Sequence, residues 1–119
     1  MGDLSAHFDS SEFSCRDGSE HPINPNLINM LEWIRNFYRR PVTIMSGYRS
    51  PDYNAAVGGA KRSQHLLGNA ADIVIAGIEP RSVAYLAARQ FPHGGIGEYR
   101  TFVHIDCRPG KARWKGKGV

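Results

Sequence analysis

The segment SQHLLGNAADIVIA, residues 63–76, places a histidine seven residues before a carboxylate that leads into an apolar run. The histidine is His65, the carboxylate is Asp72, and the apolar run begins at Ile73. Burying an unpaired carboxylate costs more free energy than its apolar neighbours return, so Asp72 needs a partner for its charge. A second histidine, His104, lies in the apolar segment FVHID. If the strands that carry Asp72 and His104 are neighbours in an antiparallel sheet, the three side chains converge.

Two imidazoles and one carboxylate form a ligand set suited to catalytic zinc, with the fourth position left for water. Zinc lowers the pKa of that water to about 7, which makes hydroxide available at neutral pH. The structural alternative is that Asp72 caps a turn, His65 is a surface loop residue and His104 is a core histidine with satisfied hydrogen bonds. The seven-residue spacing is a weak signal by itself. The surrounding sequence has to decide between a zinc site and these structural roles.

The rest of the sequence supplies helices and strands that would position these residues. Asn24 caps a helix that begins at Pro25, and its apolar residues recur at helical spacing. The patterns predict helices over residues 25–40, 51–57 and 80–90 and strands over residues 42–45, 71–76, 96–99 and 102–105. The order αβαβαββ is typical of an α+β fold with a small, largely antiparallel sheet packed against helices. Residues 1–23 are expected to be irregular, 60–69 to be a loop and 110–119 to be a basic tail.

Length and composition indicate one domain over residues 1–119. The hydrophobic fraction is 41%, and no apolar run reaches the roughly 20 residues of a membrane span, so no membrane partner is expected. No export signal is visible, which predicts a protein that stays in the cytoplasm until released, as in phage or prophage systems, or one exported by another route. The net charge of +4 fits either an anionic polymer partner or a solvated tail. No nucleic-acid-binding motif accompanies this charge.

The two cysteines, Cys15 and Cys107, are too few for a disulfide scaffold. We expect two free buried thiols, with a single disulfide as the alternative. A monomer is expected.

Two longer segments carry a family resemblance. SGYRSPDYNAAVGGAKRSQHLLGNAADI, followed by GGIGEYRTFVHIDCR, resembles the M15 family of zinc peptidases, which comprises D-alanyl-D-alanine carboxypeptidases and related peptidoglycan endopeptidases. The family pattern is an SGYRS-type strand end, then S-x-H-x6-D, then a later H-x-D, and the match extends over about residues 24–114. The resemblance implies the small α+β fold of the hedgehog N-terminal domain and zinc as cofactor. It implies that His65, Asp72 and His104 are the metal ligands.

The resemblance also implies two substrate-binding residues. Arg49, in SGYRS, would face the site as a catalytic residue and bind a substrate carboxylate or the scissile carbonyl, for which its planar fork of donors is suited. The alternative is a structural ion pair with Asp52 or Asp106. Ser63 matches a serine that commonly contacts substrate, and the alternative is a hydroxyl that caps the loop.

The general base is where the sequence departs from the family pattern. Many relatives have a glutamate three residues before the last histidine ligand, and Thr101 stands there in this chain. Glu98 and Asp106 are therefore the candidate bases. Asp106 shares the strand parity of His104, which also fits an acceptor that orients a ligand histidine. The alternative for Glu98 is that it is an exposed charged residue of a strand. A further possibility is catalysis without a carboxylate base, assisted by Asp72 or by the Tyr99 hydroxyl.

Together these features predict a zinc-dependent metallopeptidase that hydrolyses peptidoglycan stem peptides, as a D-Ala-D-Ala carboxypeptidase or an endopeptidase. Two alternatives stay open: a catalytically inactive zinc-binding module of the same fold, and a basic polymer-binding domain.

Trp114 would either form a wall of the substrate groove or pack in the core.

Overall fold

A five-stranded mixed sheet with three helices forms the framework of the computed structural model, which describes residues 2–119. The α-helices are α1 (Pro25–Tyr38), α2 (Pro51–Ala56) and α3 (Pro80–Gln90), and the strands are β1 (Thr43–Ser46), β2 (Ala70–Val74), β3 (Gly94–Glu98), β4 (Val103–Asp106) and β5 (Lys111–Lys115). The strand order is β1-β2-β4-β3-β5, and every neighbouring pair is antiparallel except β3 with β5. The predicted α+β fold with a largely antiparallel sheet is confirmed.

Local sequence explains where α1 begins and ends. The Asn24 side chain accepts a hydrogen bond from the backbone N–H of Asn26, and Pro25 occupies the first turn, where its missing N–H costs nothing. The helix ends at Tyr38, and the next residue, Arg39, adopts the left-handed conformation with φ 55° and donates its N–H to the carbonyl of Arg35. Pro41 then prevents the helix from continuing.

The register of the sheet separates a core face from a polar face. Asp72 on β2 pairs with His104 on β4, and His104 pairs with Gly97 on β3, so these residues share one face. The alternate residues point to the other face, where they join apolar side chains of α1 and α3 in the core. The sheet residues in this core include Ile73, Ile96, Val103 and Ile105.

The N-terminal segment is anchored rather than loose. It contains a 3-10 helix at Ser10–Phe13, and Phe8 and Phe13 are each 1% exposed within the core. Glu32 on α1 accepts hydrogen bonds from the Ser5 hydroxyl and from the backbone N–H of His7. The segment is therefore tied to α1 by both apolar and polar contacts.

Two expectations about secondary structure were wrong. Residues 111–115, expected within a basic tail, form edge strand β5, which lies parallel to β3. This strand is only half-buried, so its sequence KARWK lacks the alternation that marks a strand with one buried face. The expected loop over residues 60–69 contains a second 3-10 helix, Gln64–Leu67.

Two further properties of the chain follow from the structure. Cys15 and Cys107 are free thiols, with Cys15 buried and Cys107 partly buried. Within residues 2–119, none of the helices combines the length and apolar character that crossing a bilayer requires.

Candidate metal centre

Three elements bring the predicted ligand residues together. The pairing of β2 with β4 places Asp72 directly opposite His104. His65 comes from the 3-10 helix Gln64–Leu67, whose first turn is capped by Ser63, with the Ser63 hydroxyl accepting from the His65 N–H at 3.2 Å. Gly68 ends this helix in the left-handed conformation, with φ 71°, and lets the chain turn into β2.

The three side chains form a compact and buried group. His65 Nε2 lies 3.2 Å from Asp72 Oδ1, and His104 Nδ1 lies 3.1 Å from the same oxygen. One ligand atom from each residue lies within 4.8 Å of the other two, and the three residues are 2–8% exposed. The group could therefore hold a metal ion, as the sequence predicts.

The second nitrogen of each histidine is fixed by an acceptor. His65 Nδ1 lies 2.7 Å from the Gly47 carbonyl oxygen, and His104 Nε2 lies 2.7 Å from Asp106 Oδ2. Each of these nitrogens must carry a proton because a carbonyl or carboxylate oxygen only accepts. In the neutral tautomer, the lone pairs of His65 Nε2 and His104 Nδ1 therefore face Asp72.

Two of the three residues have pKa values shifted from their ordinary values. Burial alone would lower the pKa of His104, but hydrogen bonds to Asp106 and Asp72 outweigh it and raise the pKa above its usual value. Burial alone would raise the pKa of Asp72, but hydrogen bonds from His104 and His65 lower it to about 2. Asp72 is thus a carboxylate at neutral pH, and a metal ion that binds here competes with a proton for His104.

The donor set fits zinc. Tetrahedral zinc with bonds of about 2.0–2.1 Å separates its ligand atoms by about 3.3 Å, close to the two contacts made by Asp72 Oδ1. Both histidines also have the outer hydrogen-bond acceptors that zinc-bound histidines usually have. Three protein ligands would leave a position open, as in catalytic rather than structural zinc sites.

Arg49 lies beside the group, on the segment between β1 and α2. Its guanidinium is 3.4 Å from Asp72 Oδ2 and 3.4 Å from the Asn54 side-chain oxygen, and its Nε donates to the Ser46 hydroxyl at 3.3 Å. The ion pair is therefore with Asp72, instead of the alternatives Asp52 and Asp106. Its backbone N–H also donates to the His65 carbonyl, which ties the two segments together.

His65, Asp72 and His104 together are called the metal group. This group opens onto a cavity of about 590 Å³. Aromatic side chains linked through Tyr99 form one wall, and cationic and small residues also line the cavity. The lining includes Val57, Arg62, Ser63, Tyr99, Phe102, Arg108 and Trp114. Within the described chain, residues 2–119, Asp72 is the only acidic residue that lines this cavity.

The two candidate bases lie elsewhere. Asp106 is fully buried behind His104, where it also accepts from the Gly95 N–H and from the Arg108 guanidinium. Glu98 points to the other face of the sheet, into a groove beside Arg81 and Lys115. The structure therefore brings neither carboxylate to the open side of the metal group.

Sequence reasoning missed three contributors to the site. The Gly47 carbonyl is a backbone group, and the residue sequence carries no sign of its role. Arg108 binds Asp106 only because the chain turns after β4, and Phe102 reaches the cavity through the β3–β4 connection. Trp114 lines the cavity and is not part of the core.

A buried His–Asp–His group in the lining of a cavity could hold a catalytic metal ion. The chain belongs to the Peptidase M15 family, whose model matches residues 6–106. A "Probable peptidoglycan L,D-endopeptidase MepK" of Haemophilus influenzae is 33% identical over 111 residues, covering 85% of this chain and 59% of that protein. The "Peptidoglycan L,D-endopeptidase MepK" of Escherichia coli K12 is 38% identical over 98 residues, covering 75% of this chain and 53% of that protein. The chain thus spans little more than half the length of these relatives.

Proposed function

We propose that this protein is a zinc-dependent peptidase that hydrolyses peptide bonds of peptidoglycan as an L,D-endopeptidase. The observation that carries the proposal is the convergence of His65, Asp72 and His104 in the lining of the cavity. Membership of the Peptidase M15 family supports the substrate class, and the MepK relatives, which are named as peptidoglycan L,D-endopeptidases, support the type of bond.

The chain's own residues would hold and orient the reacting groups. When bound, zinc supplies Lewis-acid activation of water and of the scissile carbonyl. Gly47 and Asp106 keep the protons of His65 and His104 on the outer nitrogens, so that the inner nitrogens stay available as ligands. Arg49 neutralises part of the Asp72 charge and presents its remaining donors to a peptide carbonyl or carboxylate.

One observation favours a second candidate, a zinc-binding module without peptidase activity. A general base should reach the activated water directly or through one intermediary. Within residues 2–119, the cavity lining offers no carboxylate besides Asp72, which belongs to the ligand group. Zinc would then stabilise the fold or a bound glycan peptide without hydrolysis.

Cleavage assays on defined muropeptides separate the two candidates. We expect the zinc-loaded protein to cut dimers joined by an L,D bond, to spare dimers joined by a D,D bond, and to lose activity with a chelator until zinc is restored. His65→Ala should abolish both zinc binding and cleavage, whereas His93→Ala, a change at an exposed histidine outside the cavity, should leave both intact. One equivalent of bound zinc without cleavage of either dimer would support the inactive module.

A further inference from the structure

The aromatic wall of the cavity holds one hydroxyl group in a fixed position. Trp114 Nε1 donates a hydrogen bond to the Tyr99 hydroxyl oxygen at 2.9 Å. The Trp114 ring in turn lies against His104, with 5.1 Å between the ring centroids. The Tyr99 hydroxyl is therefore linked through a single side chain to a residue of the metal group.

Close packing fixes both rings of this wall. The Tyr99 ring stacks on Phe102, with 4.5 Å between centroids and 11° between planes. A Cβ on Gly116 would come within 2.2 Å of the Tyr99 ring, and a Cβ on Gly97 within 2.5 Å of the Trp114 ring. Two glycines thus allow the backbone to approach the rings more closely than any other residue would permit.

The hydrogen-bond chemistry of the pair directs the tyrosine proton away from the tryptophan. An indole N–H only donates, so the Tyr99 oxygen accepts in this contact and its own O–H remains available. Within residues 2–119 this O–H has no acceptor, and Tyr99 lines the cavity. A hydrogen bond accepted by a hydroxyl also strengthens the bond that the hydroxyl donates.

We propose that Tyr99 is a substrate-contacting residue whose hydroxyl donates a hydrogen bond to the carbonyl oxygen of the peptide bond that is cut. This rests on the proposed function. The hydroxyl keeps its proton throughout, and its contribution grows as negative charge develops on the carbonyl oxygen. Trp114 is a positioning residue, since it orients this hydroxyl without touching the substrate oxygen.

Tyr99→Phe tests the contact because it removes the hydroxyl and keeps the ring stack. We expect kcat to fall about 100-fold, the magnitude typical for loss of one oxyanion donor, with KM changed less than about threefold. Zinc content should be unchanged. Tyr85→Phe is the matched control: the Tyr85 hydroxyl also accepts a hydrogen bond, from Arg89, but lies outside the cavity on the exposed side of α3.

Trp114→Phe separates orientation from packing. It removes the indole N–H that holds the Tyr99 hydroxyl, so kcat should fall in the single variant but no further when Tyr99→Phe is added. Independent losses that multiply in the double variant would show that Trp114 acts on the site without Tyr99.

Calorimetric binding of a phosphinic pseudopeptide gives a readout that does not depend on turnover. This probe carries a tetrahedral anion in place of the scissile carbonyl, so Tyr99→Phe should weaken its binding about 100-fold and leave the binding of the product peptide unchanged. Unchanged kcat and unchanged phosphinate affinity in Tyr99→Phe, with a wild type that cuts the L,D dimer, would overturn the inference and leave the proposed function standing. A wild type that cuts nothing but binds the phosphinate through Tyr99 would overturn the proposed function and leave the contact standing.

Discussion

Single residues behind the metal group decide which nitrogen of each histidine is free. Asp106 is the clearest case because it is fully buried and contacts His104 at 2.7 Å. Burial alone would raise the pKa of Asp106, but hydrogen bonds from His104 and Arg108 hold it well below its usual range. Asp106 is therefore an anion at neutral pH and acts on the metal group through His104 instead of through substrate.

Asp106→Asn should weaken zinc binding about 10- to 100-fold, the usual cost of losing an outer acceptor of a ligand histidine. The amide has one acceptor oxygen where the carboxylate has two, and the carboxylate uses both, on Gly95 and on His104. Competition with a chromogenic chelator measures the affinity.

Glu98→Gln is the matched control for this change, since it neutralises a carboxylate of the same sheet on its opposite face. Equal zinc affinity in Asp106→Asn and in the wild type would show that Asp106 does not set the orientation of His104.

Strand parity explains which site residues could be predicted from the sequence. His104 and Asp106 are two apart on one strand, so their shared face follows from the period of a strand alone. The position of Glu98 depends on the register between β3 and β4, in which Gly97 and not Glu98 pairs with His104. No local pattern specifies that register, because the connection between the strands lacks a turn signature.

At the scale of elements, helices were easier to predict than the edge of the sheet. The caps and apolar spacing of α1 and α3 are local signals, and both helices lie close to their predicted bounds. β5 is an edge strand that pairs on one side only, and its parallel partner β3 precedes it by more than a dozen residues. Tertiary pairing, and not the pattern of KARWK, determines its conformation.

The docking of the N-terminal segment on α1 predicts a pH-dependent contribution to stability. Glu32 accepts from the Ser5 hydroxyl and from His7 through its backbone N–H and its ring. Burial alone would raise the pKa of Glu32, but these hydrogen bonds lower it below its ordinary value of 4.5. Because the folded-state pKa is lowered, the contribution is fully present above pH 4.5 and is lost as the pH falls through the folded-state pKa.

Glu32→Gln should therefore lower the free energy of unfolding by about 1 kcal/mol at pH 7, less than is usual for hydrogen bonds to a charged group because solvent partly screens these bonds. The difference from the wild type should shrink at pH 3. Denaturant unfolding at both pH values measures it, with Glu20→Gln as the control for loss of an exposed carboxylate. A difference that stays constant between pH 7 and pH 3 would exclude the carboxylate as its source.

For the whole molecule, the metal group links parts of the chain that are distant in sequence. Its three side chains come from a 3-10 helix, from β2 and from β4, and its outer contacts come from Gly47 after β1 and from Asp106. The arrangement exists only in the folded chain, since 32 residues separate Asp72 from His104. If zinc binds to this group as proposed, zinc binding and folding are coupled.

Zinc should therefore raise the melting temperature of this protein. A free zinc concentration 100-fold above the dissociation constant stabilises the folded state by about 2.7 kcal/mol, which corresponds to about 10 °C for a domain of this size. Differential scanning calorimetry of the metal-free protein, with zinc added at a buffered free concentration, measures the shift. The variant His65→Ala/His104→Ala should show almost no shift, and His93→Ala should shift like the wild type. An equal shift in the double-alanine variant would place the stabilising metal outside the His65–Asp72–His104 group, because removal of two of its three ligands leaves that group unable to bind zinc tightly.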